Sequence, residues 1–376
     1  GATPGKLPSA GCGTPGYDCP PGDIRGGYGM ASPHLHAKRP AMSLDLVKPA
    51  QIALLEGPPQ AERDRLDGLA RTEANHAEAL AGLACLQRLE APVAERGEIL
   101  SFPLTVAAWN LERCYNVEKS AVLLQREGAE LVLLSEVDNG MARTAQRHTS
   151  RDIATELGMN YAFGVEFLEL ELGAEVELAF CEDDFNRHGF HGNALQSKAA
   201  LQAPVMIRLE PHGHWFTPES PARRVGTRCA IAAGVMTTEG PLYAVSVHLE
   251  NRGDAAYREA QVKRLIDAID ELAGDTPVVI GGDLNTGLAD GGDFEKETLF
   301  AHAYGRGFER HGGPLDQTTT RPSRVSRSPR GTWKLDWFLT RGLLVEDSGI
   351  VPSVADDGEV LSDHDMVVAR LGGFAG

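Results

Sequence analysis

Nowhere in the 376 residues does an apolar run approach the roughly 20 positions that a helix needs to cross a bilayer, so the sequence carries no transmembrane helix signal. Positive charge is scarce as well: 36 Lys and Arg stand against 53 Asp and Glu, for a formal charge of -17. Affinity for polyanions rests on Lys and Arg neutralising phosphates, so this balance argues against nonspecific binding to DNA, RNA or anionic lipid. Cysteine is sparse, with six in all, too dilute for a disulfide scaffold and without the C-x-x-C spacing of a zinc ribbon. Cys12 and Cys19 flank a Gly/Pro turn and either form a local disulfide in an oxidising compartment or stay as surface thiols. Cys85, Cys114, Cys181 and Cys229 lie in apolar contexts and read as small core residues. No P-loop, H-E-x-x-H or G-x-S-x-G is present, which removes the commonest nucleotide-binding, zinc-protease and serine-hydrolase readings. The sequence opens at Gly1 without a methionine or a charged, apolar leader; we read it as a processed or trimmed soluble product, which leaves export open and localisation unassigned.

What is present is ordinary globular material, 42% hydrophobic and 24% charged, long enough for one core of roughly 200–300 residues with an additional segment. Residues 1–42 are dense in Gly and Pro without a period and predict an irregular arm. Residues 43–100 predict a helical extension: Leu66, Leu69, Ala77, Leu80 and Leu83 recur near helical spacing, as one long amphipathic helix or a helical hairpin ended by Pro92. Residues 101–376 predict an α/β domain, because the apolar, β-branched runs at 104–112, 129–138, 228–238, 242–250, 277–285 and 334–342 alternate with helical stretches such as 254–274. Two charge features stand out. From Glu166 to Asp184 there are eight acidic residues and no Lys or Arg, a solvated acidic insertion or a cation-binding or gating loop. Arg321, Arg324, Arg327 and Arg330 recur every three residues, and in an acidic protein such a loop is a natural place to hold a substrate anion.

Several strands end in the same kind of residue. "VAAWN" ends on Asn110, "LVLLSE" on Glu136, "AVSVH" on His248 and "VVIGGDLN" on Asp283 and Asn285; "KLD" carries Asp336, and "LSDHD" supplies Asp363 and His364. One such residue is an ordinary turn former, but six sites together point to a crevice where strand exits meet. Carboxylates and amide oxygens are hard ligands suited to Mg²⁺ or Mn²⁺, and histidines beside them suit proton transfer. In "VVIGGDLN" the two glycines read as a sharp turn at the strand exit, with Asp283 and Asn285 on one side of it.

"WNLE", "LLSEVD", "VHLE", "GGDLN", "KLDWF" and "SDHD", in this order, resemble the endonuclease/exonuclease/phosphatase superfamily over roughly residues 104–371. That group includes pancreatic-type deoxyribonucleases, abasic-site endonucleases, sphingomyelinases and inositol polyphosphate phosphatases. The resemblance implies a four-layered α/β/β/α sandwich of two mixed sheets that hydrolyses phosphoester bonds with Mg²⁺, or with Mn²⁺ or Ca²⁺ in its place. Carried over by position, it makes Glu136 the principal metal ligand, with Asn110 beside it and Asp363 close to the metal. Asp283 and Asn285 would contact the nucleophile and phosphate, and His248 the phosphate or leaving group. Asp336 would orient His364, and water activation is shared between Asp283 and His364. Ser135 stands where the family often has Gln, and "LQSK" where "LLSR" is usual, which marks Asn193 and Ser197 as pocket candidates. Arg324, Arg327 and Arg330 are candidates for substrate anion binding. His148, His188 and His191 fall near strand-end loops, in surface or packing roles or against substrate; Trp333 and Trp337 bracket Asp336 as core or pocket lining.

The expectation is therefore a metal-dependent hydrolase of a small or lipid-like phosphate ester. A nuclease is the second reading, disfavoured by the acidic charge, and a noncatalytic binding module is the third. Oligomeric state has no signal in the sequence.

Overall fold

The computed structural model describes residues 47–94, 97–210, 213–220, 222–326 and 332–376, so the irregular arm, the Cys12–Cys19 pair, Arg327 and Arg330 lie outside the described residues. Two mixed sheets dominate. The first runs in spatial order Val47–Lys48, Gln202–Arg208, Cys229–Thr237, Gly240–His248, Val278–Asp283, Asp336–Arg341 and Glu309–His311. The second runs Leu343–Val351, Met366–Phe374, Leu104–Arg113, Leu131–Asn139, Phe190–Ser197, Asn160–Glu169, Leu89–Glu90 and Gln51–Ile52, with Arg224–Gly226 paired on Asn160–Glu169.

Strand alternation sorts the apolar residues into three layers of core. Val106, Ala108, Leu131 and Leu133 of the second sheet meet Ile231, Ala233, Val279 and Phe338 of the first, which places one cluster between the sheets. The alternate residues Ala107, Trp109, Val132 and Leu134 face outward and pack with Leu123, Leu124, Ile153 and Ala154 of the helices Val117–Arg126 and Thr149–Leu157. On the far side Ile207, Val245, Val247 and Ile280 take the helix Ala255–Ala273, whose Val262, Leu265, Ile266 and Ile269 follow the i, i+3, i+4, i+7 spacing of one buried face. Strands covered on both faces read as continuous apolar runs, which is why they were visible in the sequence. The architecture is the four-layered α/β/β/α sandwich that the resemblance implied.

The 60–90 stretch differs from the expected long helix or hairpin: it folds as Gln60–Asp67, Glu73–Gly82 and Ala84–Gln87. Gly68 closes the first helix, and the Thr72 hydroxyl caps the second by accepting from the Asn75 amide at 3.3 Å. Leu66, Ala79 and Leu86 join the outer core of the second sheet, and Leu89–Glu90 then pairs with Gly164 and Phe163, one strand in from its edge. Buried Glu90 ties this segment down, accepting from the Leu55 amide at 2.7 Å and the Tyr161 hydroxyl at 2.6 Å, with His148 at 2.8 Å.

Candidate active site

The site forms where the ladders break. Leu104–Arg113 and Leu131–Asn139 pair in register up to Asn110 and Ser135, then resume only at Arg113 and Val137. Leu131–Asn139 and Phe190–Ser197 shift register across the same interval, between Leu134 and Val137. Residues at and just past the break sit in the left-handed region: Glu112 at φ 43°, Arg113 at 77°, Cys114 at 62° and Glu136 at 53°. Asn285 joins them at 50°. A side-chain-bearing residue in this region costs about 1–3 kcal/mol, and the bends turn Glu136 and Arg113 out of the pleat to face each other.

The glycines of "VVIGGDLN" do something other than turn. Val278–Asp283 runs straight through them, with Asp283 opposite His248 on the parallel neighbour and opposite Asp336 on the antiparallel one. Gly281 lies under the Phe338 ring, and Gly282, at φ 151°, lies where a Cβ would collide with the Val247 carbonyl. They permit close strand approach, and the chain turns only after Asp283. Residues opposite one another on adjacent strands share a face, so His248, Asp283 and Asp336 stand side by side.

Three histidines surround this row, each anchored through Nδ1 to a buried carboxylate. His364 Nδ1 meets Asp336 Oδ2 at 2.9 Å, His248 Nδ1 meets Glu166 Oε2 at 3.1 Å, and His191 Nδ1 meets Asp138 Oδ1 at 2.9 Å. Their Nε2 atoms converge: His364 lies 3.7 Å and His248 3.5 Å from Asp283 Oδ2, while His248 and His191 each lie 3.9 Å from a Glu136 oxygen. Asp283 further accepts from Asn110 Nδ2 at 3.1 Å and from the Asn285 amide at 2.9 Å, and Asn285 Nδ2 donates to the Leu249 carbonyl at 2.9 Å.

Burial works against ionisation of Glu136, but Arg113 and the three imidazoles outweigh it and hold its carboxyl well below the usual range. Glu166 behaves alike: burial opposes the charge, and His248 and Arg228 bring its carboxyl down to about 2. His364 would lose its proton to burial alone, yet Asp336, Asp283 and Asp363 raise it well above the ordinary imidazole value. Burial pushes the Asp336 carboxyl up to about 6, against the pull of the His364 imidazole bonded to it.

The strand-end residues named from the sequence thus gather here: Asn110, Glu136, His248, Asp283, Asn285, Asp336 and His364. Asp363 lies alongside, its amide bonded to Glu112 Oε2 at 3.1 Å and its Oδ2 accepting from Ser326 at 2.7 Å. Asn193 is different. It is fully buried and donates to the Cys229 carbonyl at 2.8 Å, tying one sheet to the other. Of the arginine loop, Arg321 is held by Asp365 at 2.9 Å and Arg324 pairs with Glu359.

The acidic stretch is no solvated insertion from its start. Glu166 and Glu169 belong to the strand Asn160–Glu169, and Glu166, Glu169 and Glu177 are buried. Residues that sequence reasoning missed are the buried partners: Glu166, Asp138 and Arg228, the last bonded to Glu166 at 3.0 Å and to Glu250 at 3.1 Å. His191, read from the sequence as a surface, packing or substrate-contact residue, faces Glu136 at 3.9 Å.

The donor set fits a hard divalent cation. Asp283, Asp336 and His364 bring one possible ligand atom each within 4.8 Å of one another, and the two carboxylates are the hard donors of that group, since His364 is held as a cation by Asp336. The Glu136 carboxylate and the Asn110 amide oxygen stand across from them, on the second sheet.

Comparison with known proteins agrees with this architecture. The model of the Endonuclease/Exonuclease/phosphatase family matches residues 107–364. No curated protein sequence matches. Among solved structures, an endonuclease/exonuclease/phosphatase from Beutenbergia cavernae is 19% identical, with 72% of each chain covered and a TM-score of 0.51. A functionally unknown conserved protein from Enterococcus faecalis is 16% identical over 72% of this chain and 100% of its own, with a TM-score of 0.50. At such identities the likeness speaks for the fold alone.

Proposed function

The chain belongs to the endonuclease/exonuclease/phosphatase family, and from that premise we propose that it hydrolyses phosphoester bonds, as a divalent-metal-dependent phosphodiesterase or phosphatase on a small or lipid-like phosphate ester. The observation that carries this reading is the convergence of three carboxylate-backed imidazoles on Asp283 and Glu136. Asn110, Glu136 and Asp363 would hold the metal, which when bound neutralises phosphate charge and stabilises the charge that develops in the transition state. Asp283 takes the proton of the attacking water as its oxygen bonds to phosphorus and the bond to the leaving oxygen breaks. His364 already carries a proton, which leaves Asp283 as the group with a lone pair to accept one and His364 as the cation that steadies the phosphoryl oxygens. Asn285 orients the phosphate. His248, fixed by Glu166, contacts the phosphate or the leaving oxygen.

The charge of -17 supports a small substrate over a nucleic acid, as does the engagement of Arg321 and Arg324 by acidic partners. The test sets the protein with Mg²⁺ against a bis-aryl phosphate, an aryl monophosphate, plasmid DNA and RNA. Ester hydrolysis that Glu136→Gln and Asp283→Asn abolish is expected. Robust nicking of plasmid at physiological salt would overturn the small-substrate reading, and folded variants with full activity would overturn the site.

A further inference from the structure

Glu136 already carries a cation. The Arg113 guanidinium contacts Glu136 Oε2 through Nη1 and holds Glu177 Oε1 through Nε at 2.8 Å. Three successive left-handed residues, Glu112, Arg113 and Cys114, bend the chain so that this side chain enters the crevice instead of continuing the strand. Glu177 belongs to the short turn Glu177–Phe180 in the acidic stretch, is 2% exposed, and is itself fixed by Arg143 at 3.3 Å and the Ala174 amide at 2.7 Å. Arg143 grips Asp138 at 2.8 and 2.9 Å, Asp138 holds His191, and His191 Nε2 returns to Glu136 at 3.9 Å. The circuit Glu136, Arg113, Glu177, Arg143, Asp138, His191 is closed, with acidic and basic side chains alternating around it.

A guanidinium on Glu136 uses the same carboxylate lone pairs that a divalent ion would use, and two cations at one carboxylate repel. Glu177 gives Arg113 a second anchor that does not depend on Glu136. A planar guanidinium with free N–H groups matches the oxygens of a phosphate. Resting on the phosphoesterase reading, we propose that Arg113 competes with the divalent cation for Glu136. Cation binding shifts the guanidinium off Glu136 while Glu177 keeps it at the rim, where it receives the substrate phosphate. The buried part of the acidic stretch is then a member of the site, because it decides where the anion is met once the metal is in place.

Calorimetric titration of the full chain with Mn²⁺ tests this. Arg113→Gln should bind Mn²⁺ about tenfold more tightly than the wild type, within the usual coupling between linked sites. The same variant, saturated with Mn²⁺, should bind inorganic phosphate more weakly than the wild type does. Arg113→Lys, which keeps the charge but not the planar fork of the guanidinium, should fall between on both measures. A second readout needs no variant: the arginine side-chain NMR signal of Arg113 should move on Mg²⁺ titration of the wild type. Unchanged or weaker Mn²⁺ binding in folded Arg113→Gln, or an unmoved Arg113 signal, overturns the competition. If Glu136→Gln binds Mn²⁺ as the wild type does, the assignment of Glu136 as metal ligand falls, and the competition falls with it. Loss of binding in Glu136→Gln without tightening in Arg113→Gln sinks the competition alone.

Discussion

Glu210 offers a test whose sign and size follow from its surroundings. Its carboxyl is 1% exposed, accepts from the Arg228 amide at 3.1 Å and from Gln261 Nε2 at 3.2 Å, and contacts the Tyr257 hydroxyl. Burial, aided by the Glu250 charge, pushes it from 4.5 up to about 7. Between those values the unfolded chain releases the proton while the folded chain keeps it. The folded state therefore binds more protons, and stability falls as pH rises through this window. Below about 4.5 both states are protonated and the penalty vanishes; above about 7 it is complete. At about 1.4 kcal/mol per unit the penalty reaches roughly 3 kcal/mol. Glu210→Gln removes the charge and places an amide nitrogen opposite the Gln261 donor, at a cost of about 1 kcal/mol at any pH. Urea denaturation of both proteins at pH 4.5 and 8 should show the variant less stable by about 1 kcal/mol in acid and more stable by about 2 kcal/mol in base. Parallel curves for the two proteins across that range would refute the reasoning.

Gly282→Ala forces a Cβ against the Val247 carbonyl at φ 151° and should cost about 2–3 kcal/mol or more, seen as a lowered melting temperature together with reduced hydrolysis. Asp336→Asn keeps the size of the side chain but removes the charge that holds the His364 proton; kcat should fall about 10²- to 10⁴-fold with folding intact. Glu166→Gln should lower kcat about 10²-fold more than it raises KM, because it loosens His248 and leaves Arg228 to Glu250. Removing divalent ions with a chelator should abolish ester hydrolysis, and Mg²⁺ or Mn²⁺ should restore it.

The strands at 104–113, 131–139, 229–237, 240–248 and 278–283 were legible because sheet residues covered on both faces leave unbroken apolar runs. Asn160–Glu169 and Phe190–Ser197 were not, because packing overrides their pattern. Gly164 and Gly192 stand where a Cβ would strike Ile231 and the Gly164 carbonyl, and Glu166, His191 and Gln196 are polar yet buried. The acids, amides and histidines at strand exits could be read from position alone. Their partners could not: Glu166 is 82 residues from His248 and looked like one more charge in an acidic stretch. The arginines of the 318–334 loop looked unpaired for the same reason. Asp365 and Glu359, which hold Arg321 and Arg324, lie more than thirty positions away.

The short strand Leu89–Glu90, with Gln51–Ile52 beyond it at the sheet margin, bears on how this protein can be cut and expressed. A chain started at residue 101, just before the family resemblance begins, would strip the pairing partner from Phe163 and Gly164 and leave an open row of amides and carbonyls at the sheet margin. It would also remove the carboxylate that His148 and Tyr161 share, stranding two polar side chains inside the outer core. Such a fragment should express as aggregate, whereas one retaining residues from 47 onward keeps its margin closed.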